Sequence, residues 1–214
     1  MIFLNNFAIL NNVLVLLILI LKIDFLFFYP CIKMLPFKYY KSIKKENILD
    51  TLIKNVPLKR EKILVDGIWV EELRKTFWYS ENEQVLNYSG KQMQPSPFIP
   101  IIKELRDLIF DKIGIMFDSV LVNYYENNNI GMRYHSDPLD GKWSTDFFIL
   151  SFGDTRKLIF REINNKDKKH QFKLENGDAI HMFGNCQDQY QHCLKKEKES
   201  KGPRISLVFK KSIQ

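Results

Sequence analysis

SVLVNYYENNNIGMRYHSD, running from Ser119 to Asp137, decides how the chain is read. Its first seven residues, Ser119 to Tyr125, have the β-branched, apolar and aromatic character of a strand. Asn127-Asn128-Asn129 supplies a turn, and an extended piece beyond it carries His135-Ser136-Asp137. Working outward, more strand-like segments follow: Phe147 to Phe152 (FFILSF), Lys157 to Arg161 (KLIFR), Ala179 to Phe183 (AIHMF) and Arg204 to Lys210 (RISLVFK). Gly153-Asp154, Asn176-Gly177-Asp178 and Gly202-Pro203 punctuate them. Many short strands with regular turns predict a sandwich or barrel. Upstream, the apolar spacing predicts a helix over Lys41 to Val56, with Ile43, Leu49, Leu52, Ile53 and Val56 near one face and Pro57 ending it. A second helix is predicted over Pro100 to Ile113, with Ile101, Leu105, Leu108 and Ile109 inward and Gly114 closing it. Lys62 to Val70 reads as a hairpin turning at Asp66-Gly67, and Thr76 to Tyr79 as a strand. The class is therefore α+β.

The 214 residues allow one catalytic domain plus an appendage. With 45% hydrophobic and 14% aromatic residues the body should fold around a core. A net charge of +7 suits an anionic partner, nucleic acid or a membrane surface, though charge alone selects neither. Cys31, Cys186 and Cys193 are too few and too unevenly spaced for a disulfide framework. Without a CxxC pair a structural zinc site is not expected, so reduced thiols in a cytosolic or nuclear protein are. Residues 1–33 stand apart: VLVLLILIL spans Val13 to Leu21, and Lys22 and Asp24 interrupt the apolar run. That length is borderline for a spanning helix, which needs about 20 mostly apolar residues. Three readings stay open: a membrane anchor, an unusual leader, or an extension upstream of a start at Met34. The catalytic domain is placed at residues 34–214. The run Lys195 to Lys201 is read as a solvated loop.

The chemistry starts at His135 and Asp137. Two apart on an extended chain, they point to one side and can bind one metal ion together. His192, in a later segment, is a candidate third ligand. Two histidines and a carboxylate form the facial triad of non-haem Fe(II) oxygenases, which leaves positions open for a co-substrate and O2. On a strand, Arg204, Ser206, Val208 and Lys210 share one face, opposite Ile205, Leu207 and Phe209. The two cations suit a dicarboxylate such as 2-oxoglutarate. Asn123 and Tyr125 share a face on the earlier strand, and both can donate to a carboxylate. Each motif alone has a bland reading: a surface HxD, a strand with a wet face, a tyrosine rim. Their order along the chain is what carries weight.

In that order, and in the stretches LRKTFWYSE, LNYSG, SVLVNYYENNNIGMRYHSD, ILSFGDTRKLIFRE, LENGDAIHMFG, QYQHCL and PRISLVFKK, the sequence resembles the AlkB family of 2-oxoglutarate/Fe(II)-dependent dioxygenases. The likeness runs from about Lys62 to Lys211 and is closest to the branch that repairs alkylated DNA. It implies a double-stranded β-helix, a cupin-like jelly-roll with helices buttressing one sheet. It also implies Fe(II) on His135, Asp137 and His192, with 2-oxoglutarate held by Asn123, Tyr125 and Arg204 and with Lys210 nearby. The reaction it implies is oxidation of an N-methyl group on a nucleic-acid base, releasing formaldehyde, with succinate and CO2 as co-products. By the same resemblance Tyr88 stacks on a flipped-out base and His135 forms the opposite wall. Arg74, Lys75 and Arg133 are candidates for phosphate contacts. A monomer acting on alkylated DNA or RNA in the nucleus or cytoplasm is expected, with membrane contact if residues 1–33 span.

Three departures from the family pattern bear on substrate. Lys210 stands where arginine is usual, keeping the charge and losing the fork. Pro138 and Leu139 follow the HxD motif where acidic residues are usual, with Asp140 next. Val65-Asp66-Gly67 occupies the hairpin where duplex-specific members insert an aromatic wedge. Hydroxylation or demethylation of a protein or lipid on the same fold, and a non-enzymatic nucleic-acid-binding relic, remain alternatives. Because an aspartate repels phosphate and cannot fill a gap in the base stack, single strands are the expected substrate. Turnover compared on methylated single and double strands should favour the single strand, and faster duplex repair would overturn this expectation.

Overall fold

The computed structural model describes residues 34–197 and 202–213. Residues 1–33 and most of the Lys195 to Lys201 run, with the expectations made for them, lie outside that range. Among the described residues no helix is long and apolar enough to cross a membrane.

Fourteen strands and three helices are found among the described residues. A six-stranded sheet is ordered β1 (Phe37–Tyr40), β12 (Ala179–Met182), β9 (Trp143–Gly153), β14 (Arg204–Ser212), β7 (Ser119–Tyr125) and β4 (Lys75–Ser80). A four-stranded sheet is ordered β11 (Lys169–Leu174), β10 (Arg156–Glu162), β13 (Tyr190–Leu194) and β8 (Met132–His135). From β7 onward the chain passes repeatedly between the two sheets, and the paired strands run antiparallel, which makes the body a jelly-roll. The sheets meet face to face where Phe37 of β1 stacks on Phe160 of β10 at 4.3 Å between ring centroids.

Side-chain alternation decides what each face of the larger sheet does. Val120, Val122, Ile205, Leu207 and Phe209 join Phe148, Leu150 and Phe152 in a core with the helices α1 (Leu49–Asn55) and α2 (Pro100–Ile113). These helices cover one face, and the other face is left for the site. Gly114 ends α2 in the left-handed conformation, φ +71°, as a glycine after a helix does. Ile102, Leu105 and Ile109 are the buried residues of α2, while Ile101 and Leu108 are only half-buried, so the helix is rotated slightly from the expected face.

The first helix is shorter than the apolar spacing predicts. Residues 41–48 are irregular because their backbone is tied to the Asn176-Gly177-Asp178 turn. The Ser42 amide donates to Asp178 Oδ1 at 2.9 Å, and the Ile43 amide to the Gly177 carbonyl at 2.7 Å. Asn47 Oδ1 then accepts from the Leu49 amide at 3.1 Å, where the helix starts. Beyond the larger sheet, β2 (Lys62–Val65) and β3 (Ile68–Glu71) form the hairpin turning at Asp66-Gly67, and β5 (Leu86–Tyr88) pairs with β6 (Lys91–Met93). The Leu64 amide donates to the Ser89 carbonyl at 2.8 Å, joining the two hairpins.

Gly177 has φ +79° and packs directly against the Lys44 backbone, so an added Cβ would collide with that carbonyl. Gly177→Ala is expected to destabilise the protein by about 3 kcal/mol, from left-handed strain plus the clash. Chemical denaturation measures it, and a change below about 1 kcal/mol would contradict the account of the turn.

Candidate active site

His135 closes β8, Asp137 follows two residues later, and His192 lies in β13, directly across from His135 in the strand register. That pairing brings the two imidazoles to 4.3 Å between centroids. One ligand atom from each of the three side chains lies within 4.8 Å of the others. Two strand-borne imidazoles and a carboxylate from the loop that follows β8 therefore converge, although the histidines lie far apart along the chain.

Neighbouring groups prepare these donors. The Arg133 carbonyl lies 2.8 Å from His135 Nδ1. A carbonyl only accepts, so Nδ1 holds the proton and Nε2 is left with its lone pair. Burial, together with the neighbouring His135, pushes the His192 pKa down to about 3 against the pull of Asp137, so its imidazole is neutral near pH 7. Burial works to raise the Asp137 pKa, but Lys210, the two histidines and Arg74 outweigh it, and the carboxylate sits below its ordinary range. Two side chains hold the ligand loop: Gln187 Oε1 accepts from the Asp137 amide at 2.8 Å, and Ser136 Oγ donates to the Tyr190 carbonyl at 3.0 Å.

The inner face of β14 supplies the opposite wall. Paired between β7 and β9, it sets Arg204 across from Tyr125 and Ser206 across from Asn123. Arg204 is buried, its Nη2 donates to Ser151 Oγ at 2.6 Å, and its guanidinium lies 5.6 Å from the Tyr125 ring centroid. Burial lowers its pKa to about 10, which still leaves it charged. Arg204 Nε and Asn123 Oδ1 are buried without a hydrogen-bond partner among the described residues. Orphaned polar atoms of this kind facing a cavity fit a polar co-substrate. Lys210 stands at the other end. Six residues from Arg204, about 20 Å along a strand, its Nζ is 3.8 Å from Asp137 Oδ1 and 4.4 Å from the centroid of the Phe147 ring. The two cations do not form one clamp: Lys210 steadies the metal-site carboxylate, and Arg204 faces the far part of the cavity.

One cavity is lined by His135, Asp137, His192, Asn123, Tyr125, Arg204 and Lys210, and also by Tyr88 and Arg74. Arg74 differs from the expectation of a phosphate contact. It is buried, 3.2 Å from Glu72 Oε1, and its Nη2 donates to the Tyr88 hydroxyl at 2.5 Å. Arg133 is exposed on an adjoining groove that shares Tyr88 and His135, while Lys75 is paired with Glu126 at 2.8 Å. Sequence reasoning passed over Gln187, Ser151, Glu72 and Lys91. Glu72 and Lys91 look like ordinary surface charges in the sequence, and only the fold turns them inward. Cys186 and Cys193 are buried and free.

A jelly-roll with two histidines and a carboxylate beside a buried arginine defines an Fe(II)/2-oxoglutarate oxygenase. Comparison with known proteins agrees: the 2OG-Fe(II) oxygenase superfamily model matches residues 37–210. An uncharacterised protein of Acanthamoeba polyphaga mimivirus is 33% identical over 178 residues, 82% of this chain and 93% of that protein. Human alpha-ketoglutarate-dependent dioxygenase alkB homolog 3 is 32% identical over 174 residues, 76% of this chain and 60% of its own length. Mouse DNA oxidative demethylase ALKBH2 is 27% identical over 161 residues, 71% of this chain and 67% of that protein. Among solved structures, that of OsALKBH1 shares the fold, with a TM-score of 0.62 at 15% identity over 83% of this chain and 99% of that one. The chain belongs to the AlkB family, and its cofactors are Fe(II) with 2-oxoglutarate and O2. It spans about 60% of the length of the alkB homolog 3 proteins it matches.

The lowered His192 pKa has a consequence for the metal-free protein. A histidine whose folded pKa lies below its unfolded value contributes stability above about pH 6.5, lost as the pH falls towards the folded pKa. Between pH 6.5 and 4 the loss should be on the order of 2–3 kcal/mol. Urea midpoints measured across that range should fall, and His192→Asn should flatten the slope. An unchanged slope would mean the imidazole is not buried neutral.

Proposed function

We propose that this enzyme oxidatively removes N-methyl groups from alkylated bases of DNA or RNA, acting as a monomer on single strands. The observation that carries the reading is the convergence of His135, Asp137 and His192 in a cavity that runs from the orphaned Arg204 Nε to Tyr88 at the mouth. Bound Fe(II) supplies the O2-activating centre, with 2-oxoglutarate giving up two electrons as it becomes succinate and CO2. The imidazole nitrogens of His135 and His192 and the Asp137 carboxylate are the donor set that would hold the ion. Arg204, with Nε free, would pair with the far carboxylate of the co-substrate, and Asn123 and Tyr125 would complete its cradle. Apolar side chains between them, Leu121, Ile149 and Val208, keep water from the reacting methyl. The N–CH3 group gains one oxygen to become N–CH2OH. Its C–N bond then breaks, giving formaldehyde and a base that regains its proton on nitrogen.

Tyr88 would stack on an extruded base, and exposed Arg133, which shares a groove with it, is the candidate phosphate contact. Support for single strands comes from the β2–β3 hairpin. Its tip is Asp66-Gly67, both with positive φ, and the Trp69 ring lies against Gly90. The names of the relatives, alkB homolog 3 and DNA oxidative demethylase, favour a nucleic-acid substrate over a protein or lipid.

Formaldehyde and succinate release from a panel of methylated oligonucleotides tests this. Equimolar products are expected, and Asp137→Ala should lower kcat by about a thousandfold or more. Succinate without formaldehyde across the whole panel would overturn the assignment.

A further inference from the structure

The charges around the cavity favour one chemical class of lesion. Its charged lining residues are Arg74, Arg204, Lys210 and Asp137, three cations against one carboxylate, with Glu72 behind Arg74 at 3.2 Å offsetting one of the three. Asp137 is taken up by the two histidines and Lys210. An Fe(II) ion and a 2-oxoglutarate dianion cancel each other, so loading the site leaves the wall positive. Pro138, the next residue along, lines the cavity without charge.

Arg74 cannot swing away from this wall. Glu72, Arg74 and Lys91 are 4%, 5% and 8% exposed and form one network. Glu72 Oε1 holds Arg74 at 3.2 Å, and Glu72 Oε2 accepts from Lys91 Nζ at 2.6 Å. Lys91 is further fixed by Thr76 Oγ1 at 3.1 Å and Glu61 Oε2 at 3.2 Å. Both oxygens of Glu72 are thus bonded to protein donors, and neither is open to bond a cationic base directly. Arg74 itself has donor capacity to spare. Tyr125 also hydrogen-bonds it, but its Nη1 meets the Met132 thioether at 2.9 Å, a weak acceptor, and its Nε is buried without a partner among the described residues. Met132 lines the same cavity. A buried guanidinium with spare donors is best answered by an oxygen acceptor.

Resting on the demethylase reading above, we propose that Arg74 makes this enzyme selective for uncharged N-methyl bases whose methylated nitrogen is flanked by carbonyl oxygen. 3-Methyluracil, 3-methylthymine and 1-methylguanine are of this kind: methyl replaces an imide or amide hydrogen, and no charge is created. 1-Methyladenine is cationic and has no carbonyl, so it meets the positive wall and leaves the spare donors unanswered. 3-Methylcytosine has the carbonyl and the charge, and falls between. The order is 3-methyluracil, then 3-methylcytosine, then 1-methyladenine.

The test uses the full chain and single-stranded oligonucleotides of one sequence, each with one lesion. It reads kcat/KM from formaldehyde release and, without iron, affinity from fluorescence anisotropy. A preference of about tenfold or more for 3-methyluracil over 1-methyladenine is expected in both readouts. Arg74→Met should bring that ratio towards one, whereas a merely structural role would lower both substrates together and leave it unchanged. Pro138→Glu, at an exposed position, adds a carboxylate to the wall and should shift the ratio towards the cation, which keeps the idea testable if Arg74→Met misfolds. Equal or better turnover of 1-methyladenine by the wild type, or a ratio that neither variant moves, overturns the proposal and leaves the demethylase reading standing. Absence of turnover on every oligonucleotide brings down both.

Discussion

Strand β14 is held by backbone hydrogen bonds on both sides, to β7 and to β9, and the remaining parts of the site are built on that pairing. A strand bonded on both edges cannot slip by one residue without turning every side chain to the wrong face. Its register therefore decides at once that Ile205, Leu207 and Phe209 go to the helices and that Arg204, Ser206 and Lys210 go to the cavity. The apolar contacts against α1 and α2 enforce this choice. Burial of large side chains on the helix side compensates for keeping two cations in the interior of the molecule.

Those cations are tolerated for different reasons. Lys210 has the Asp137 carboxylate and two aromatic faces around it, at 4.4 Å from Phe147 and 5.7 Å from Trp143. Arg204 has a serine hydroxyl and a tyrosine ring, and no carboxylate ion-pairs with it among the described residues. An arginine left this way keeps an unpartnered Nε in its buried position. Arg156 makes a useful contrast. It is equally buried, but it donates to the carbonyls of Ile130 at 2.8 Å and Lys195 at 2.7 Å. It pins the loop after β7 to the end of β13, and so holds together the segments that carry His135 and His192.

The strands that carry the site were legible because they alternate cleanly and end at turn residues. Ser119–Tyr125 is found as read, and β14 extends only two residues beyond Lys210. The convergence of His135, Asp137 and His192 could be guessed from residue type, but the cross-strand register that brings the histidines together is a property of the sheet. β1, β5, β6, β11 and β13 were missed. In β11, for example, KHQFKL is a polar strand at an edge of the smaller sheet, with little apolar signal to mark it. The over-long first helix had a different cause. Its apolar spacing was real, but hydrogen bonds donated by the Ser42 and Ile43 amides to Asp178 and Gly177, more than 130 residues away, overrode the local preference. The Glu72–Lys91 pair was illegible for the same kind of reason: nothing local marks a charge as buried.

Gly90 sits in the β5–β6 turn, two residues after Tyr88, and a Cβ there would lie 2.9 Å from Leu64 Cβ and 3.3 Å from the Trp69 ring. The tyrosine at the cavity mouth is thereby geared to a hairpin that carries none of the catalytic groups. Bulk added at position 64 or 69, on the outer surface and well away from the metal ligands, would press on the turn and tilt the phenol ring. With Tyr88 in the base-stacking role proposed for it, substrate preference would drift through substitutions that never touch the substrate, and the β2–β3 hairpin is where such drift would be hardest to recognise from a list of active-site residues.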